Sequence, residues 1–162
     1  MTFDARAFRN ALGCFPTGVA VVTSLTEDGA PLGVTISSFT SVSLTPPLIL
    51  FCLDDKNSWV SAFRQTGYFA VNVLSDQQQD LSQRFASRAD RRWDDVAFDR
   101  WQSGVPILSD CLANLECRIS AIHDGGDHRV FVGEVLRLAS RTDGTPLVYW
   151  RGAYAELSDG AA

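Results

Sequence analysis

The stretch GVTISSFTSVSLTPP, Gly33–Pro47, is dense in small hydroxyl side chains and contains no Lys or Arg. Its seven hydroxyl residues are Thr35, Ser37, Ser38, Thr40, Ser41, Ser43 and Thr45. Short hydroxyl groups offer both donors and acceptors and let a ligand approach the backbone closely. Such a lining suits the polar edge of a planar heterocycle and its phosphate, whereas a long anionic polymer is usually met by clustered Lys and Arg.

The same stretch also carries a strand pattern. Ser41, Ser43 and Thr45 share one parity, and Val42 and Leu44 share the other, which is the period of a half-buried strand. Two consecutive prolines, Pro46 and Pro47, cannot both donate to a ladder, so the strand should end there. The residues alone therefore leave two readings open, a ligand site and a plain edge strand or solvated loop.

Strands dominate the chain on either side of this stretch. Apolar or alternating runs predict strands over residues 18–25, from 32 onward, 48–53, 68–74, 115–123, 129–138 and 147–150. Turn signals lie at 27–29, 125–127 and 142–144. Helices are predicted over residues 4–12, from Ser58 as N-cap to residue 64, and over 76–86 after Ser75. Residues 87–103, which include Trp93, Phe98 and Trp101, are predicted to form an ordered excursion of the chain over the protein surface. Strands joined by hairpins favour an antiparallel closed barrel over a doubly wound sheet.

Composition narrows the functional classes. The 162 residues fit one domain, 1–162, and the net charge of −5 argues against a general nucleic-acid binder. Apolar runs are too short to span a bilayer, and we expect no signal peptide. Cys14, Cys52, Cys111 and Cys117 form no C-x-x-C pair, so we expect no metal site, and we expect reduced thiols in the cytoplasm. The chain has no G-x-G-x-x-G dinucleotide motif and no G-x-S-x-G elbow.

Several separated motifs occur in a characteristic order. They are Phe15-Pro-Thr-Gly-Val19, Asp28–Thr35, Ser38–Leu44 with Pro46-Pro47, Phe69–Leu74 with Leu81–Ala86, and Gly126-Asp-His128 with Gly133–Val135. Their order and spacing resemble the short-chain flavin reductase family of FMN-binding split-barrel proteins. The resemblance implies a mainly β fold, an antiparallel six-stranded split β-barrel with Greek-key topology and about three inserted helices. It also implies a homodimer with the flavin near the subunit boundary.

The resemblance implies an activity as well: an NAD(P)H:flavin oxidoreductase that transfers hydride from NADH or NADPH to FMN or FAD. The reduced flavin would then supply a separate partner monooxygenase. Two alternatives remain open. One is a tight FMN flavoprotein that reduces another acceptor, such as a metal chelate or a corrin, and the other is a non-catalytic flavin-binding protein.

The resemblance assigns roles residue by residue. Thr35, Ile36, Ser37 and Ser38 would bond the isoalloxazine edge, and Ser41, Val42 and Ser43 would line the ribityl and ring region. Residues 52–58, with Cys52, Lys56, Asn57 and Ser58, would wrap the phosphate. Independent physics supports that placement, because a helix N-terminus favours anions. Phe85, Ala86 and Tyr154 complete the cofactor-binding set, and His128 would position the nicotinamide. Two residues differ from the usual pattern of the family. Trp59 stands where a small residue is common, and Trp150 stands where Tyr is common.

Overall fold

The computed structural model describes residues 4–87 and 93–157. Three α-helices occur in this part of the chain: α1 (Ala5–Leu12), α2 (Val60–Thr66) and α3 (Gln79–Ala86), the last preceded by a short 3₁₀ turn at Asp76–Gln78. The strands are β1 (Thr17–Gly18), β2 (Ala20–Leu25), β3 (Pro31–Ile36), β4 (Thr40–Leu44), β5 (Pro47–Asp54), β6 (Tyr68–Val73), β7 (Phe98–Arg100), β8 (Pro106–Leu108), β9 (Ala113–Gly125), β10 (His128–Ser140), β11 (Val148–Trp150) and β12 (Ala153–Ala155).

The main sheet has seven antiparallel strands in the order β3-β2-β6-β9-β10-β5-β4. The predicted mainly β, antiparallel class with three helices is therefore confirmed. The strand count exceeds the six that the resemblance implied, because the hydroxyl-rich stretch is divided between two strands. β3 ends at Ile36 and β4 begins at Thr40, so this stretch supplies both edges of the sheet.

The barrel interior is filled by aromatic side chains. Phe51 and Phe131 stack with their ring centroids 5.0 Å apart, and Phe63 and Phe69 pack against Phe51. All four rings are fully buried. Each buried aromatic side chain removes a large apolar area from water, so this cluster is a main source of stability. A second cluster, which includes Phe85, Leu108 and Leu147, lies under α3 and the residue 93–98 segment.

Asp4 caps α1 through its side chain, and Gly67 ends α2 with φ +72°. Two local predictions were right: Ser75 caps the segment that leads into α3, in a capping box with Gln78, and residues 125–127 form a turn. The Gly126 turn has φ +76°, a left-handed conformation that favours glycine. The predicted excursion includes residues 88–92, which lie outside the described residues. Within its remainder, Phe98–Arg100 form β7, which pairs with β8 further along the chain, and neither strand was predicted.

Other predictions were wrong. Ser58 does not cap α2: the helix begins one residue later, and the Trp59 amide instead donates to Oδ1 of Asn57 at 3.0 Å. The Thr142–Gly144 turn does not join a hairpin, because β11 pairs with β1 and β12 rather than with β10. The apolar face of β4 is not buried within this chain, since β4 is an edge strand and Leu44 is 94% exposed.

A buried amide links four strands beside the core. The side-chain nitrogen of Asn72 on β6 donates to the Val21 carbonyl at 2.9 Å and to the Thr23 hydroxyl at 3.1 Å. Its side-chain oxygen accepts from the Leu108 amide and from Asn114, each at 2.9 Å. These bonds use every donor hydrogen and both acceptor positions of the side chain. Asn72 therefore ties β8 to the main sheet.

Replacing Asn72 with Leu should lower the free energy of unfolding by about 3 kcal/mol, because each buried group left unpaired costs roughly 1–3 kcal/mol. Asn114→Ala removes only one of these donors and should cost about 1 kcal/mol. Urea denaturation of both variants measures the two losses. Equal losses, or a change within about 0.5 kcal/mol for Asn72→Leu, would contradict a central role for this amide.

Candidate functional site

A cavity of about 380 Å³ opens between the edge strand β3 and the C-terminal end of β5. The end of β3, the ends of β5 and α3, and the start of β10 form its walls. The lining residues are Val34, Thr35, Ile36, Ser37, Ser38, Cys52, Leu53, Asp54, Asn57, Phe85, Ala86 and His128. The volume lies in the range of small-molecule sites, and the lining mixes apolar walls with a few polar groups, as such sites do.

The hydroxyl of Ser38 connects the two sides of this opening. It accepts a hydrogen bond from the Cys52 amide at 2.9 Å and lies 3.2 Å from the Cys52 carbonyl, to which it donates. Beside it, the Thr35 hydroxyl donates to the Ser82 carbonyl at 2.7 Å and so ties β3 to α3. Both hydroxyl protons are therefore committed to the protein backbone, and a ligand finds acceptor positions and backbone groups there.

One wall of the cavity depends on a missing side chain. A Cβ atom placed at Gly33 would lie 2.8 Å from two ring carbons of Phe85. The absence of that atom lets the fully buried Phe85 ring pack directly on β3. The C-terminal end of α3, with Ala86, is thereby held against the cavity.

The loop between β5 and α2 is ordered by its own hydrogen bonds. The Asp54 carboxylate accepts from the Lys56 amide at 2.7 Å, and the Asn57 amide donates to the Asp54 carbonyl at 2.8 Å. Asp54 and Asn57 line the cavity, whereas Lys56 and Ser58 are exposed and do not. The polar end of the cavity is thus built from the turn that opens α2.

His128 stands at the other end of the cavity, at the first position of β10. Its Nδ1 lies 2.7 Å from Oδ1 of Asp127, and this hydrogen bond lowers the pKa of the Asp127 carboxyl below its ordinary value. A carboxylate only accepts, so Nδ1 carries the hydrogen. A neutral ring then keeps Nε2 as its acceptor, a definite orientation for one ligand donor.

An arginine joins these two ends of the site. Nε of Arg129 donates to Oδ1 of Asp55 at 2.7 Å, its Nη2 donates to Oδ2 at 3.3 Å, and its Nη1 pairs with Asp124. The Asp55 amide also donates to the Asp127 carbonyl at 3.0 Å. Arg129 therefore fixes the 54–57 loop to the hairpin that carries His128, because a two-pronged guanidinium bond sets orientation as well as distance.

The structure brings together most of the residues predicted for the site. Those on the cavity are Thr35, Ile36, Ser37, Ser38, Cys52, Asn57, Phe85, Ala86 and His128. Tyr154 lines an adjoining space, with its hydroxyl 2.8 Å from that of Ser82. Those outside the cavity of this chain are Ser41, Val42, Ser43, Lys56 and Ser58. Leu53 and Asp54 line the cavity within the predicted 52–58 segment but were not named as site residues. Sequence reasoning assigned no role to Val34, Ser82 or Arg129.

The cysteines differ in accessibility. Burial raises the pKa of Cys117 to about 12 and that of Cys111 to about 11. They belong to separate core clusters, and all four cysteines are free thiols.

Among residues 4–87 and 93–157, no group of three or more His, Cys, Asp or Glu side chains is arranged to hold a metal ion. No helix in the same residues is long and apolar enough to cross a membrane.

Comparison with known proteins agrees with this geometry. Residues 12–158 match the family model of the flavin reductase like domain. The FMN reductase (NADH) SmoA of Agrobacterium fabrum is 48% identical over 155 residues, covering 96% of this chain and 87% of the relative. The flavin-dependent monooxygenase reductase subunit HsaB of Rhodococcus jostii is 41% identical over 155 residues, covering 95% and 78%.

A solved structure is similar over the whole chain. It is the NADH:FAD oxidoreductase of Streptomyces globisporus in complex with NAD and FAD fragments, with a TM-score of 0.92 at 33% identity. The match covers 100% of this chain and 99% of that one. Fold and site together define a split-barrel flavin-binding protein. The chain belongs to the flavin reductase like family.

The Arg129 contacts predict a selective effect on phosphate binding. Arg129→Ala should raise the dissociation constant of FMN about fivefold, since a partly exposed ion pair contributes up to about 1 kcal/mol. Riboflavin, which has no phosphate, should bind as before, because the 54–57 loop lies at the proposed phosphate end. Fluorescence titration of both flavins measures the ratio.

The matched control for this experiment is Arg118→Ala. Arg118 pairs with Glu134 at 2.7 Å across the same two strands, far from the cavity. The Arg118→Ala variant should bind FMN and riboflavin with unchanged affinities. Equal weakening of FMN and riboflavin in Arg129→Ala would show that the arginine supports only the general fold.

Proposed function

We propose that this chain is an NADH-dependent flavin reductase that reduces FMN or FAD and supplies the reduced flavin to a separate monooxygenase. The observation that carries the proposal is the cavity between β3 and β5, with the turn before α2 at one end and His128 at the other. The named activities of the relatives, an NADH-dependent FMN reductase and a monooxygenase reductase subunit, support it.

The donors and the space at the cavity fit a flavin. The apolar residues Val34, Ile36 and Phe85 would flank the ring, while Ser37 and the backbone of residues 35–38 would meet its polar edge. Asn57, in the turn before α2, would face the phosphate. The exposed Lys56 would add positive charge nearby. Ser41, Val42 and Ser43 lie on the adjacent edge strand, so we propose that they meet the flavin of a partner subunit.

Hydride chemistry is supplied by the flavin and the dinucleotide themselves when they are bound. The protein therefore needs no nucleophile, and its part is to bind and orient. The Ser37 hydroxyl and backbone amides at residues 35–38 would stabilise negative charge on the ring edge. His128, held by Asp127, offers Nε2 to the carboxamide of the nicotinamide and so fixes that ring against the cavity.

We also propose that the enzyme is a homodimer. Large apolar side chains remain uncovered in one chain: Leu44 is 94% exposed, Phe15 75% and Leu138 65%. Exposed apolar patches usually mark interfaces. Light scattering should therefore give twice the chain mass of 17.7 kDa, and a stable monomer at micromolar concentration would contradict the proposal.

The four free thiols support a reducing compartment such as the cytoplasm.

Steady-state oxidation of NADH and of NADPH with added FMN, FAD or riboflavin tests the activity. We expect oxidation with NADH that depends on added flavin, and weakly held flavin that is lost on gel filtration. Flavin retained through gel filtration and rapidly reduced would instead indicate a tight flavoprotein with another acceptor. Bound flavin without any NAD(P)H oxidation would indicate a non-catalytic binding protein.

His128→Ala should raise the Michaelis constant for NADH and slow flavin reduction, because the ring positions the nicotinamide. FMN affinity should stay within about threefold, a change below roughly 1 kcal/mol. Stopped-flow reduction with varied NADH separates the binding and reduction steps.

The second histidine of the chain, His123, provides the control. It is exposed on β9 and does not line the cavity, so His123→Ala should behave as wild type. If His128→Ala reduces flavin at the wild-type rate with unchanged NADH dependence, His128 is only a turn residue.

A further inference from the structure

A second, smaller space adjoins the flavin cavity at the end of β3. Its volume is about 160 Å³, and it shares Thr35, Ile36, Ser37 and Ala86 with the cavity. The residues that complete its lining are Val19, Ser82, Tyr149 and Tyr154. A ligand that lies along residues 35–37 in the cavity therefore also borders this smaller space.

Two hydroxyl groups meet at the smaller space. Oη of Tyr154 on β12 lies 2.8 Å from Oγ of Ser82 on α3. Among residues 4–87 and 93–157, neither hydroxyl has another hydrogen-bond partner. Ser82 is fully buried, whereas Tyr154 is half-buried and borders the open space. A ligand or water can therefore reach the Tyr154 hydroxyl but not the Ser82 hydroxyl.

Burial decides which of these two hydroxyl groups donates. If Tyr154 donated to Ser82, the Ser82 proton would be buried without an acceptor, and buried donors in native structures rarely lack one. Ser82 therefore donates to the Tyr154 oxygen. The Tyr154 proton is then directed away from Ser82 and into the smaller space, where a ligand can accept it.

Ser82 also holds the strand that borders the ligand. Its backbone carbonyl accepts from the Thr35 hydroxyl at 2.7 Å, so one residue of α3 bonds both β3 and β12. One turn further along α3, the Phe85 ring packs directly on Gly33 of β3. The position of the Tyr154 hydroxyl relative to residues 35–37 is thus fixed by contacts within the protein.

The other hydroxyl groups of this space are mostly committed to the protein. The Tyr149 hydroxyl donates to the Gly152 carbonyl at 2.9 Å, and its ring packs edge-on against the Tyr154 ring with centroids 5.4 Å apart. The Thr35 hydroxyl donates to Ser82. Among the described residues that line the space, only Tyr154 and Ser37 therefore keep a hydroxyl proton that no protein group accepts.

The reaction of the proposed function creates a charge that suits such a donor. Hydride transfer breaks the C4–H bond of NADH, forms a bond to N5 of the flavin, and leaves NAD⁺ and a negative charge on the N1–C2=O side of the flavin. Hydrogen bonds to ionised acceptors are roughly twice as strong as those between neutral groups. A fixed donor at that side therefore binds reduced flavin more strongly than oxidised flavin.

We propose that Tyr154 donates a hydrogen bond to the polar edge of bound flavin, and that Ser82 is the residue that positions its proton. This inference rests on the proposed function, since the flavin would lie along residues 35–38. The pair favours the reduced form, in which that edge carries the charge. Tyr154 thus raises the reduction potential of bound flavin, whereas His128 orients the dinucleotide.

The affinities for oxidised and reduced FMN test this assignment without any turnover. Fluorescence titration gives the first dissociation constant, and anaerobic equilibrium dialysis with chemically reduced FMN gives the second. Tyr154→Phe should weaken reduced FMN about tenfold more than oxidised FMN, because a hydrogen bond to a charged group contributes more than one to a neutral group. A tenfold change in this ratio corresponds to a reduction potential about 30 mV lower for the bound flavin.

The matched control is Tyr68→Phe. It removes the same hydroxyl from a half-buried tyrosine on β6 that borders neither space, so both affinities should remain as in wild type. An equal change of the affinity ratio in Tyr68→Phe would contradict the assignment to Tyr154.

The role of Ser82 is tested in two backgrounds. Ser82→Ala should reduce the preference for reduced FMN about threefold, because the Tyr154 proton then loses its fixed direction. In the Tyr154→Phe background the same substitution should change the affinity ratio no further, since Ser82 acts through that hydroxyl. An equal effect in both backgrounds would show that Ser82 only packs α3 against the sheet.

An unchanged affinity ratio in Tyr154→Phe overturns the proposal, whether both affinities fall together or neither changes. If the Michaelis constant for NADH rises while the ratio stays constant, the hydroxyl serves the nicotinamide and not the flavin. These binding results stand whether or not NADH is oxidised. Failure of NADH oxidation with every flavin would instead overturn the proposed function.

Discussion

The pair of hydrogen bonds between the Ser38 hydroxyl and the Cys52 backbone is the constraint on which the site depends. β3 and β4 form the two edges of the main sheet, and no ladder pairs them with each other. Ser38 lies between them, and its hydroxyl bonds both the amide and the carbonyl of Cys52. Cys52 belongs to the part of β5 that extends beyond its pairing with β4. A buried or half-buried peptide group needs such a partner. These bonds hold the end of β3 close to β5, and the cavity lies between them.

This arrangement changes the meaning of the hydroxyl-rich stretch. Thr35 and Ser38 bond backbone carbonyl groups, and Ser43 accepts from the Thr45 amide at 3.2 Å. These side chains act first on the protein's own peptide groups, as Ser and Thr commonly do at strand ends and turns. The consequence is a lining with fixed donors and acceptors, whose geometry is set before a ligand arrives. Preorganised dipoles of this kind bind without the cost of reorganisation.

The strands and hairpins could be predicted from the sequence, because alternation and turn residues are local signals. The strands of the main sheet, the Ser75 cap and the turn before His128 follow from them. The split-barrel fold and the cavity residues were instead implied by the family resemblance of the ordered motifs. The start of α2 was not predicted correctly, since its N-cap is Trp59 rather than Ser58, and the Asn57 side chain accepts from the Trp59 amide just before the helix. The division of the hydroxyl stretch, the β7–β8 pair and the Arg129 contacts with Asp55 and Asp124 depend on tertiary pairing between distant residues. No local pattern encodes such contacts.

The cavity is assembled from parts of the chain that are far apart: residues 34–38, 52–57, 85–86 and 128. The β9–β10 hairpin pairs two strands that are consecutive in the chain. The contact between Phe85 and Gly33, in contrast, closes a loop of about fifty residues. Pairings of that span form late, because loop closure costs entropy before the contact contributes. The unfolded chain therefore has no partial version of the site, and a ligand of the cavity binds the folded state alone. By mass action, a ligand at one hundred times its dissociation constant adds about 2.7 kcal/mol to the free energy of unfolding. Thermal stability in a cell would accordingly rise and fall with the supply of that ligand.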